Sequence, residues 1–296
     1  MVPVSAAALI VIGDVMLDVT VASGTLARGG DVHGDVRITP GGSAANVAAW
    51  AAHAGATVRL HGCVGDDAAG GVLRKALQRC GVEDRLLVVP GARSGAMLVV
   101  TEAGERSMVA HRGANSHLAP DALPATLDAD GVFVSGYTLF DPATEAAARA
   151  ALGRARAERV AVDAASWPLV ERRGPAWFFE ATRAATLLFA NQREAAALTG
   201  ASDEEAARQL GARYSLAVVK LGARGAVLAD GRTVVHAPAP AIVEVDATGA
   251  GDAFDGVFLA ALVRGAEPRD ALVRACEAGA RCAAREARWP ETGFGL

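Results

Sequence analysis

The chain has 296 residues, enough for one large α/β domain or two smaller ones around a substantial core. Hydrophobic residues make up 52%, yet the longest early apolar run, residues 6–12, stops at Gly13 and Asp14, which excludes a membrane span or signal peptide there and points to a soluble, cytoplasmic protein. A net charge of -4 with scattered arginines leaves no electrostatic footprint for nucleic acid, and Cys63, Cys80, Cys276 and Cys282 lack disulfide or zinc spacing and read as buried free thiols.

Residues 9–12 form a short apolar run closed by Gly13 and Asp14, a strand buried on both faces with a polar residue at its carboxyl end. Ligands collect at such ends in open α/β sheets. Residues 19–39 are Gly-rich and weakly alternating, with no helical period. A helix then runs from Gly41-Gly42-Ser43-Ala44-Ala45-Asn46 to Gly55, with glycines at both ends. Residues 57–64 read as a strand and 68–79 as a helix stopped by Gly81. A second β-rich departure follows, with 96–100 and 107–111 forming a hairpin around a polar turn that contains Gly104. The insertions at 15–40 and 92–111 are expected to make a small β-sheet lid, and residues 1–14, 41–91 and 112–296 the core.

Strands at 132–135, 159–162, 186–190, 216–220, 226–228 and 233–236 follow, interleaved with helices at 142–157, 175–183, 192–198 and 203–210. A helix after Gly251 and another at 268–285 close the chain, with an irregular tail after Trp289. The pattern predicts an α/β fold, a Rossmann-like three-layer α/β/α sandwich.

The most informative motif is Asp246-Ala247-Thr248-Gly249-Ala250-Gly251-Asp252, small residues where a loop becomes a helix. First-turn N–H groups and the helix dipole hold an anion there, and Gly249, Ala250 and Gly251 leave it room. Asp252, in the same turn, repels a phosphate unless it takes a proton from the hydroxyl that attacks it. Gly41 and Gly42 start a second helix whose first turn carries Asn46, an amide suited to a sugar hydroxyl, and the flanking carboxylates of Asp14 and Asp18 suit a polyol.

Asn191-Gln192-Arg193-Glu194 follows a strand directly. It reads either as a capping box or as a source of oxygen, from Asn191 and Glu194, for a Mg2+ carried by a nucleotide. Lys220-Leu221-Gly222-Ala223-Arg224-Gly225 allows close approach of a flat ligand at Gly222 and Gly225, or is a tight turn. Tyr137 and Phe140 can stack on a sugar or base, or can be core. Lys75 and Lys220 are the only lysines and neither follows glycine, so a Walker phosphate loop is absent, as are kinase-loop and zinc motifs.

The two Gly-rich motifs, in this order and with the Asn191 to Glu194 run between them, resemble the ribokinase-like (PfkB) family of sugar and nucleoside kinases. The resemblance covers nearly the whole chain. It implies that Asp252 is the catalytic base and that the backbone of Gly249, Ala250, Gly251 and Asp252 is the anion hole. It implies sugar contacts from Asp18, Gly42 and Asn46, and Mg2+ and phosphate organised by Asn191 and Glu194. Lys220, Gly222 and Gly225 would wall the adenine site of ATP, with Thr248 on the nucleotide side. Asp246 and the loop after the last helix would hold a monovalent cation such as K+, although Arg285-Glu286-Ala287-Arg288 lacks the glycine often found there. The expected activity is ATP-dependent phosphorylation of an exocyclic hydroxymethyl group of a sugar. The alternatives are a nucleoside of pseudouridine or adenosine type as acceptor, and a non-catalytic sensor of the same fold. A homodimer clasped through the lid is also implied.

Overall fold

The computed structural model describes residues 8–23, 29–102, 105–285 and 288–290. In its main sheet β1 (Ala8–Ile12) is flanked by β4 (Thr57–His61) and then β6 (Val82–Asp84) on one side. On the other side lie β11 (Gly131–Val134), β13 (Arg159–Asp163), β14 (Leu187–Asn191) and β15 (Leu216–Lys220). All these pairings are parallel, and the antiparallel strands β16 (Ala226–Ala229) and β17 (Val234–Ala237) complete nine.

Side chains alternate across this sheet, so each strand feeds two cores. Leu9, Val11, Phe133, Phe189 and Val218 face α1 (Ser43–His53), α2 (Ala68–Arg79), α9 (Ala250–Val263) and α10 (Pro268–Ala283). Ile10, Ile12, Val134, Leu188 and Val219 face the helices α3 (Gly136–Phe140), α4 (Glu145–Arg154), α5 (Trp167–Arg173), α6 (Pro175–Ala181), α7 (Gln192–Thr199) and α8 (Asp203–Gly211). The result is the expected three-layer α/β/α sandwich. Among the described residues no helix is long and apolar enough to cross a membrane.

A second sheet of four strands has the order β3-β2-β8-β9, built from β2 (Met16–Ser23), β3 (Asp35–Gly41), β8 (Gly95–Glu102) and β9 (Glu105–His111). Asn115 anchors it to the core: its Oδ1 accepts from Val15 N at 2.9 Å and its Nδ2 donates to the carbonyls of Val15 and Arg112. Gly95 leaves room for that amide, since a Cβ there would fall 2.3 Å from Asn115 Nδ2.

Several boundaries differ from the sequence expectation. The strand expected over 57–64 breaks after His61, and β5 (Cys63–Gly65) pairs separately with β7 (Leu87–Val89). The helix expected over 142–157 begins at Glu145, because the Asp141 carboxylate accepts from Ala143 N and shapes a turn. It ends at Arg154, where β12 (Ala155–Arg156) pairs with β10 (Leu127–Asp128). Gly104 of the hairpin turn and the tail at 291–296 lie outside the described residues. Cys63, Cys276 and Cys282 are buried free thiols as expected, while Cys80 is only half-buried.

Candidate active site

The parallel strands point their carboxyl ends at one edge, and the chain loads that edge with polar residues: Asp14 after β1, Ser135 after β11, Asp163 ending β13, Asn191 ending β14 and Lys220 ending β15. The helix α9 starts there. Gly249 caps it in the left-handed conformation at φ 81, a position where a side chain would be strained. Asp252 lies in its first turn and is partly buried.

Two residues of α1 hold the Asp252 carboxylate. Ser43 Oγ donates to Oδ1 at 2.9 Å and Asn46 Nδ2 to Oδ2 at 2.7 Å. The helices can lie this close because of Gly256, where a Cβ would fall 2.5 Å from Val47 O. Burial raises the Asp252 carboxyl to about 7; the Asn46 hydrogen bond lowers it and the Asp163 charge raises it. A carboxylate poised near neutrality suits a general base.

Lys220 sits deeper than a wall residue. Its ammonium meets both oxygens of Asp255 at 2.9 Å and Asp163 Oδ2 at 3.6 Å. Burial opposes its charge, but Asp255 and Asp163 outweigh that and hold it as an ammonium. A Cβ at Gly251 would lie 3.4 Å from this nitrogen, so the paired ammonium lies directly behind the first turn of α9. Lys220, expected to wall an adenine site, is thus tied by its ammonium to α9 and β13. Asp255, one turn beyond Asp252, was not singled out by the sequence motif; its i,i+3 spacing was the available signal.

On the other side, Asp18 lies under the small sheet, 5% exposed, with Arg288 Nε 3.0 Å from its Oδ2. Burial lifts Asp18 to about 6; Arg288 pulls it down while Asp14 and Asp246 push it up. Gly41 is required beside it, since a Cβ would fall 2.3 Å from Asp18 Oδ2, and at Gly42, φ 93, a Cβ would fall 2.6 Å from Asp14 O. Both glycines therefore act here by making room. Asp14 Oδ2 accepts from Ser43 N at 3.0 Å and Oδ1 from Ser135 Oγ at 3.2 Å, tying α1 to the sheet. Tyr137 is 38% exposed at the start of α3, whereas Phe140 is core, stacked on Phe178.

Asn191 and Glu194 form a full capping box on α7: Asn191 Oδ1 accepts from Arg193 N and Glu194 N, and Glu194 Oε2 accepts from Asn191 N at 2.7 Å. Burial lifts Glu194 to about 7, with Asp163 adding and Lys220 subtracting. Asp246 Oδ1 accepts from Thr248 N at 2.9 Å, shaping the loop before Gly249. Among the described residues no group of three or more His, Cys, Asp or Glu converges as a metal cage. A Mg2+ that arrives on nucleotide phosphates needs no such cage, only one or two protein oxygens, which a carboxylate such as that of Glu194 could supply. Glu286 and Ala287 of the loop expected to help hold a monovalent cation lie outside the described residues. Gly225 is demanded by its hairpin, where a Cβ would fall 2.0 Å from Ala237 O; around Gly222 the space is open.

Sequence reasoning gave Trp289 no role. Trp289 Nε1 donates to Asn46 Oδ1 at 2.8 Å, and Trp50 Nε1 donates to Arg288 O at 2.7 Å, so both bonds tie this segment to α1.

The comparisons with known proteins agree with the fold. The profile of the family described as pfkB family carbohydrate kinase matches residues 6–287. Aminoimidazole riboside kinase of Salmonella typhimurium is 34% identical over 243 residues, 76% of this chain and 74% of that protein. ATP-dependent ribose-1-phosphate kinase of Halopiger xanaduensis is 34% identical over 261 residues, 84% of this chain and 82% of that protein. Among solved structures, adenosine kinase from Sinorhizobium meliloti superposes with a TM-score of 0.85 at 24% identity over 96% of each chain. Aminoimidazole riboside kinase from Salmonella enterica, complexed with aminoimidazole riboside and an ATP analog, gives 0.81 at 25% identity over 97% of each chain. The protein is a phosphotransferase with an alcohol group as acceptor, a sugar or nucleoside kinase, and it belongs to the pfkB family of carbohydrate kinases.

Proposed function

We propose that this chain transfers the γ-phosphoryl group of ATP to the exocyclic hydroxymethyl group of a sugar, with Asp252 as general base. The observation that carries the reading is the Asp252 carboxylate in the first turn of α9, aimed by the hydrogen bonds from Ser43 and Asn46. Asp252 removes the hydroxyl proton as the oxygen attacks phosphorus, and the N–H groups from Gly249 to Asp252 receive the charge on the transferring group. Lys220, paired with Asp255 and Asp163, braces the start of α9 from behind Gly251. Asn191 and Glu194 would hold the Mg2+ of the nucleotide, which when bound neutralises phosphate charge. Asp18 and Asp14 accept sugar hydroxyl protons, and the small sheet acts as a lid that excludes water, the competing nucleophile.

A riboside or nucleoside acceptor is the second reading. It is favoured by the exposed face of Tyr137 beside the acids and by relatives named for aminoimidazole riboside and adenosine. A homodimer through the lid and a cytoplasmic location are part of the proposal; four thiols without a disulfide suit a reducing compartment. The test is ADP release over a panel of sugars and nucleosides with the wild type and Asp252→Asn. The wild type should turn over one class in preference, and the variant should lose at least ~10²-fold in kcat with little change in KM. Near-normal turnover of the variant would remove Asp252 as the base.

A further inference from the structure

Trp289 is 5% exposed and spends its one polar atom on Asn46. An indole N–H only donates, whereas a primary amide presents an oxygen on one side and an NH2 on the other. With Nε1 of Trp289 at 2.8 Å from Oδ1 of Asn46, the amide has a single orientation that satisfies both ends, and in it Nδ2 points at Asp252 Oδ2, 2.7 Å away. Turned over, the amide would set an NH2 against the indole N–H and an oxygen against the carboxylate, two repulsive contacts inside a buried cluster.

We infer that Trp289 is a positioning residue for the catalytic step: by fixing the orientation of the Asn46 amide, it keeps a hydrogen-bond donor on the Asp252 carboxylate. The inference rests on the reading of Asp252 as the base. Its consequence concerns protonation. The Asn46 donor lowers the pKa of Asp252 against the burial that raises it, so losing the fixed donor lets the carboxyl hold its proton to higher pH. The other groups facing Asp252 are Asp163 from β13, Lys220 from β15, Tyr137 from α3, Cys282 from α10 and Asp255 on its own helix. None of these is hydrogen-bonded to Trp289, so their field is common to wild type and variant.

The test is the pH dependence of kcat in Trp289→Phe, which keeps a ring in the cavity and removes the donor. The acid limb should move up by about one pH unit, with kcat at pH 7 falling several-fold and converging on the wild-type value at high pH. Trp289→His, whose ring keeps an N–H, should restore part of the shift. A folded Phe variant with lowered kcat and an unmoved limb overturns the inference and leaves Trp289 as packing only. A readout that needs no change at Trp289 is its indole N–H resonance in the wild type. It should titrate with the midpoint of the kcat limb and become flat in Asp252→Asn; a flat wild-type resonance overturns the inference even if the Phe variant does not fold. The reading beneath it fails separately, by Asp252→Asn remaining active.

Discussion

Asp252 owes its chemistry to its neighbours. A carboxyl raised to about 7 is protonated and inactive as a base below that value, so kcat should fall with a single acid limb near pH 7, tenfold per unit on the acid side, in a pH-rate profile at saturating substrates. Lys220 shows the other face of burial. Replacing it with Met leaves Asp255 and Asp163 buried without their counter-charge, a loss of ~3–5 kcal/mol in folding stability, seen as a lower denaturation midpoint in urea. Adding Asp255→Asn to that variant should recover part of the loss, because it removes the orphaned charge. A wild-type midpoint for Lys220→Met would show that the pair contributes nothing net. The motif Asp246 to Asp252 was legible from spacing alone, but the partners of its last residue were not. Ser43 and Asn46 lie more than two hundred positions away, and no local pattern encodes that meeting.

The elements that place these residues follow ordinary rules. Nearly the whole of α1 is buried, from Ser43 to Ala51, because it lies between the sheet and α9, and small residues at Gly256 and along α1 allow the close crossing. The small sheet is held at its base by the three hydrogen bonds of Asn115. Asn115→Ala should cost ~1–3 kcal/mol of stability and loosen the start of β2, which carries Asp18. The expected kinetic outcome is a higher sugar KM together with ATP hydrolysis in the absence of sugar, measured as ADP release; unchanged sugar KM and tight coupling would count against the sheet as a lid. The βα alternation was readable because buried parallel strands are short apolar runs. The late start of α4, expected from residue 142, was not, since a turn shaped by the side chain of Asp141 has no signature in hydrophobic period.

At the scale of the molecule, the small sheet has two different faces. Asp18, Thr20 and Thr39 look toward the site, while Val19, Val21, Val36, Ile38, Leu98 and Val109 share the opposite face. Val36, Ile38, Leu98 and Val109 are exposed there. An apolar sheet face of this kind is what the proposed lid-to-lid dimer would cover. Ile38→Asp with Val109→Glu should leave a monomer by sedimentation or light scattering, with the single-chain fold intact; a wild-type protein already monomeric at high concentration removes the dimer from the proposal.

The sequence by itself determined the layered α/β architecture, the Gly-capped start of α9 and the kinase family, because strand hydrophobicity, glycine placement and helix-start chemistry are local and repeat along the chain. Only the tertiary structure decided that Lys220 lies beneath the start of α9, that Gly41 makes room for the Asp18 carboxylate and Gly42 for the Asp14 carbonyl, and that Trp289 reaches the amide beside Asp252. Each of these depends on which distant backbones approach within a few ångströms, and that is set by packing the two cores rather than by any residue's neighbours in the chain.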